Sequence, residues 1–99
     1  MKPSYYAIIP ATVRYDKDLS ANAKLLYGEI TALTNKEGYC WANNEYFAGL
    51  YGVSCNSVTR WLNNIKDKGY ISIKYKKKQN GTDRKIYLAD NSAPNNIAT

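Results

Sequence analysis

A glycine, a serine two residues later, a polar run and then two bulky apolar residues constrain this chain more than anything else in it. The stretch is "YGVSCNSVTRWL" (51–62). Gly52 suits a helix exit, where the backbone often turns left-handed. Ser54 suits the start of the next helix, because its hydroxyl can accept from an unpaired N–H of the first turn. The two cues stand so close that one helix must end and the next begin within a tight turn. The second helix then carries Asn56, Ser57, Thr59 and Arg60 where charge or grease would be more usual.

The flanking sequence supplies the partners. Ser20 stands ahead of "ANAKLLYGEITALT", in which Leu19, Ala23, Leu26, Tyr27, Ile30 and Leu33 recur at helical spacing. Asn35 to Gly38 ends that helix with turn chemistry, and "GYCWA" (38–42) reads as a small strand or an extended connector. Asn43 or Asn44 caps a short second helix, "EYFAGLY", and Ser54 caps a third over 55–68 that Gly69 stops. "YISIKYKKK" (70–78) alternates, with Ile71, Ile73 and Tyr75 on one face and Ser72, Lys74 and Lys76 on the other, as a half-buried strand does. A turn centred on Asn80-Gly81 leads into a returning strand, "RKIYLA".

This order predicts an α+β, mainly helical fold: a winged helix-turn-helix of three helices and a small antiparallel β-hairpin. In a helix-turn-helix the first helix needs a small residue where the second crosses it, and Ala48 fills that place four residues before Gly52. Val53, Val58 and Trp61 follow at positions that lock the pair, with Phe47 and Tyr51 completing the contact. The expected division is an amino-terminal arm (1–18), the domain (19–89), and a tail or linker start (90–99). A helical hairpin in a protein-interaction module would show the same packing, so exposed side chains must separate the two.

Composition narrows the function. The chain has 99 residues, no histidine and only Cys40 and Cys55 among cysteines. Two such ligands cannot close a tetrahedral zinc site, and the commonest general base is missing. No paired carboxylates or nucleophile-plus-base cluster appears, so the expectation is a non-enzyme without metal or cofactor. No apolar run approaches a membrane span or a signal segment, and a cytoplasmic location is expected. The net charge of +6 is unevenly placed. Residues 1–59 hold five cations and five carboxylates, whereas residues 60–85 hold nine cations and two carboxylates. Such asymmetry suits a polyanion, usually nucleic acid.

On a wheel of 100° per residue, Val58, Trp61, Leu62 and Ile65 cluster on one side of the third helix. Asn56, Arg60 and Asn63 lie opposite, with Ser57, Thr59 and Asn64 flanking. Asn can pair with adenine and Arg with guanine, each through two hydrogen bonds. The residues near the helix start enter the groove deepest. Asn56, Ser57 and Arg60 are therefore expected on bases, and Thr59, Asn63 and Asn64 on bases or phosphates. Lys74, Lys76, Lys77, Lys78, Arg84 and Lys85 surround the hairpin turn and are expected on phosphates or at the minor groove. The same lysines could also serve to protect exposed strand edges.

Residues 8–71, and above all "AKLLYGEI", "GYCWA", "YGVS" and the closing "GYI", resemble the helix-turn-helix domains of plasmid and phage replication initiators from Gram-positive bacteria, the RepA-type and DnaD-like amino-terminal domains. The resemblance implies binding to repeats in double-stranded DNA at a replication origin. It also implies a homodimer, and host replication proteins recruited through a carboxy-terminal region that this chain does not contain. Tyr5–Pro10 is a candidate dimer surface. A transcriptional regulator of phage or plasmid genes would use the same DNA-binding mode.

Overall fold

The computed structural model describes residues 6–34 and 37–89. Four helices precede one hairpin: α1 (Ala11–Arg14), α2 (Ala21–Thr34), α3 (Asn44–Tyr51), α4 (Cys55–Asp67), β1 (Ile71–Lys78) and β2 (Gly81–Leu88). This is the expected α+β winged helix-turn-helix, with a four-residue helix added at the front.

The helices start where side chains can satisfy open backbone donors. The Ser20 hydroxyl accepts from the Ala23 N–H at 3.1 Å, Asn43 Oδ1 from the Tyr46 N–H at 2.8 Å, and Ser54 Oγ from the Ser57 N–H at 3.2 Å. Asn43, not Asn44, is thus the cap of α3. The helix ends at Gly52, whose φ of +67° and ψ of +41° lie in the left-handed region. There the Val53 N–H bonds the Ala48 carbonyl, which closes the turn before Ser54 opens α4.

One core joins every element. The six positions read as the stripe of α2 are all buried, from Leu19 to Leu33. They meet Phe47 of α3 and Val58, Leu62 and Ile65 of α4. The hairpin adds Ile71 and Ile86, and the connector before α3 adds Cys40 and Ala42. Cys40 pairs with Ile86 through both backbone hydrogen bonds, at 2.8 and 2.9 Å, so "GYCWA" touches the hairpin as a single antiparallel bridge. Burying a ring such as that of Phe47 is worth roughly 1.5–3 kcal/mol in transfer alone.

The hairpin departs from expectation in two places. Lys78 pairs with Gly81, so Gln79-Asn80 form the turn, one residue earlier than the Asn80-Gly81 centre expected. Neither turn residue has positive φ. Gly81 takes φ +139° instead, which absorbs the mismatch between the turn and the strand twist. Tyr75 is 67% exposed, because β1 runs past the end of the core after Ile73.

The segment expected as an arm also differs within the described residues. Val13 of α1 is fully buried in the core. Residues 7–9 lie along α2, where the Ile8 N–H donates to Thr31 Oγ1 at 2.9 Å. Gly28 permits that approach: a Cβ there would stand 3.0 Å from Ile9 Cγ1 and 3.2 Å from Ala7 Cβ. Of the candidate dimer surface, Ile9 therefore packs inward on its own chain, Tyr6 and Ile8 face out, and Tyr5 lies outside the described residues. The expected tail, 90–99, lies outside them too.

Candidate nucleic-acid interface

The core side of α4 orients its other side. Val58, Leu62 and Ile65 are buried, so the residues half a turn away must face outward. Asn56, Arg60 and Asn63 are all exposed there, as the wheel requires. They form a polar stripe with one cation and with no carboxylate before Asp67 at the far end of the helix.

The two flanks of the stripe differ. On the side toward α2, Ser57 and Arg60 border an open groove with Asn22, Leu25 and Trp61. Arg60 Nη2 donates to Ser57 Oγ at 3.2 Å, and the Ser54 and Ser57 hydroxyls stand 3.2 Å apart. On the side toward α3, Thr59 is exposed, and its Oγ1 donates to the Cys55 carbonyl at 3.0 Å. The same oxygen accepts from Asn44 Nδ2 at 3.0 Å. Asn64 is half-buried beside the α2 flank.

The hairpin does not offer its cations as one surface. Strand register and alternation place Lys74, Lys76, Lys78 and Lys85 on the outer face. Lys77 and Arg84 fall on the other face, in line with Ile73 and Ile86. The five lysines are exposed. Lys78 Nζ reaches Asp83 at 3.1 Å, and Lys85 Nζ sits 4.5 Å above the Tyr39 ring.

Arg84, expected on phosphate, is placed differently. Its Nη1 donates to Asn44 Oδ1 at 2.8 Å and its Nη2 to the Ala42 carbonyl at 2.7 Å. Its Nε is buried without a protein partner among the described residues. Alternation turns this side chain inward with Ile86, so it ties the hairpin to the start of α3. The sequence marks Asn44 only as an alternative cap, and no pattern in it signals a place between Arg84 and Thr59.

Tyr51 lines the same groove as Ser57 and Arg60. Burial, and then the nearby Glu29 carboxylate, push the Tyr51 hydroxyl well up; that hydroxyl donates to Glu29 Oε1 at 3.0 Å. Among the described residues no group of three or more His, Cys, Asp or Glu is arranged to hold a metal ion. No helix there is long and apolar enough to cross a membrane.

A family model described as a helix-turn-helix domain matches residues 17–71, from just before α2 to the first residue of β1. Neither a curated protein nor a solved structure matches the chain.

Proposed function

We infer that this chain, which belongs to the helix-turn-helix domain family, binds duplex DNA sequence-specifically by laying α4 in the major groove. The observation that carries the reading is the exposed stripe Asn56–Arg60–Asn63, backed by a buried Val58–Leu62–Ile65 face. A helix held so firmly can offer its outer side chains to base edges at little cost in ordering. Asn56, Ser57 and Arg60 read bases, and Asn63 and Asn64 reach bases or phosphates. Lys74, Lys76, Lys77, Lys78 and Lys85 supply phosphate contacts from the hairpin.

The resemblance of residues 8–71 to replication initiators supports a role at the repeats of a plasmid or phage origin. The protein would act there as a homodimer, with host replication proteins as further partners. A regulator acting at its own promoter is the alternative. Capture of bound fragments from the sheared DNA of the source replicon, at near-physiological salt, separates the two. Enrichment of repeats beside an origin supports initiation, and enrichment at a single promoter replaces it with regulation. No enrichment by folded protein points to a protein-interaction module instead.

A further inference from the structure

The hydrogen bonds that run from the hairpin to α4 have a fixed direction. Arginine carries donors only. Facing Arg84 Nη1, Asn44 must therefore present its carbonyl oxygen, at 2.8 Å. Its amide nitrogen is then the group 3.0 Å from Thr59 Oγ1, so Thr59 accepts there. A threonine hydroxyl has one proton and two lone pairs. The proton goes to the Cys55 carbonyl at 3.0 Å, and one lone pair goes to Asn44. A single lone pair is left without a partner among the described residues.

We propose that Arg84, acting through Asn44, sets the Thr59 hydroxyl as a hydrogen-bond acceptor toward the DNA, so that Thr59 selects a base bearing an exocyclic amino group. This rests on the reading of α4 as the base-reading helix. In the major groove the amino groups belong to adenine N6 and cytosine N4, whereas guanine and thymine present acceptors at the matching place. Thr59 is exposed and borders the Asn56–Arg60–Asn63 stripe, which puts it at the edge of the reading surface. With its proton on the Cys55 carbonyl, the hydroxyl meets the DNA as an acceptor, which a base amino group can use and a phosphate oxygen cannot. Arg84 and Asn44 are positioning residues: their positions on β2 and at the start of α3 hold the polarity of a side chain on a third element.

The test is selection from a randomised duplex library with the wild-type domain and with Thr59→Val, Thr59→Ser and Asn44→Ala, followed by sequencing. Valine keeps the shape and a methyl group, so that variant isolates the hydroxyl. The wild type is expected to favour adenine or cytosine over guanine or thymine at one position, by roughly two- to tenfold, as a single net hydrogen bond allows. Thr59→Val should flatten that position alone, and Thr59→Ser should retain the preference. Asn44→Ala should weaken the preference at the same position, with no further loss when combined with Thr59→Val; a merely structural role would instead weaken all positions together. A wild-type motif that Thr59→Val leaves unchanged, or a guanine or thymine preference at the affected position, overturns this inference and leaves the DNA reading standing. No enriched motif from the folded wild type overturns both.

Discussion

The Tyr70 hydroxyl donates to Asp16 Oδ2 at 2.6 Å, joining the approach to the hairpin to the segment that follows α1, 54 positions earlier in the chain. The Thr12 carbonyl lies 3.1 Å from the same hydroxyl, and Lys68 Nζ adds an ion pair to Asp18 at 3.1 Å. The amino-terminal segment is thus clasped to the end of α4 and the start of β1. The Tyr70 hydrogen bond, then the Asp18 backbone N–H, hold the Asp16 carboxyl below its ordinary 3.8. Because the folded value is the lower one, this stabilisation is complete above 3.8 and fades as the pH falls through the folded value. Burial, and then the bond to Asp16, push the Tyr70 hydroxyl itself up to about 12. Its contribution is complete below 10 and is lost as the pH rises toward 12. Tyr70→Phe should therefore be less stable than the wild type at neutral pH, by a gap that narrows at strongly acidic pH, where the hydroxyl keeps the Thr12 carbonyl but loses the ionised Asp16. Urea unfolding across the pH range checks this, and an unchanged gap at low pH would contradict it.

Gly52→Ala should cost about 1 kcal/mol of stability. Nothing lies within 4 Å of an added Cβ, so the loss comes from the left-handed backbone alone. That conformation costs an alanine about 1–2 kcal/mol, partly offset by the stiffer unfolded chain. Denaturant titration reads the difference, and a neutral result would deny the positive φ at the turn.

Cys40 is fully buried and bridged to Ile86, and burial pushes its thiol up. Cys55 is partly accessible at the start of α4. Iodoacetamide should therefore modify Cys55 in the native protein and Cys40 only after unfolding. Mass spectrometry of timed samples reads the order, and simultaneous labelling would refute the packing of the connector against the hairpin.

Replacing Lys76, Lys77 and Lys78 with glutamine should weaken binding to every DNA sequence alike. The slope of log affinity against log salt should flatten by about 0.9 for each phosphate that the hairpin no longer neutralises. Lys78→Gln alone should have the smallest effect, because Asp83 already pairs with that ammonium. A slope that the triple variant leaves unchanged would remove the hairpin from phosphate binding.

The turn and the two helices beside it were legible because independent signals agree there. The glycine and the serine mark the turn, the periodicity marks the buried face, and the polar residues fall opposite. By contrast, α1 spans four residues, too few for periodicity to show. Its Val13 belongs to a core whose other buried residues run from Leu19 to Ile86. The hairpin turn falls one residue earlier than Asn-Gly signals, because pairing of Lys78 with Gly81 overrides that local cue. Arg84 could have been read correctly. It stands two residues before buried Ile86, and strand alternation alone turns it inward. Composition suggested phosphate, but geometry gave it the Ala42 carbonyl and Asn44 instead.

Whether α4 distinguishes DNA sequences is tested most directly at Arg60. The measurement is equilibrium binding of the wild type and Arg60→Ala to a selected duplex and to a scrambled duplex of equal length, at matched salt. Arg60→Ala should lose roughly 1–3 kcal/mol on the selected duplex and much less on the scrambled one, with specificity relaxed at one base pair. Equal losses on both duplexes would make Arg60 a backbone contact and contradict base reading by the outer face of α4.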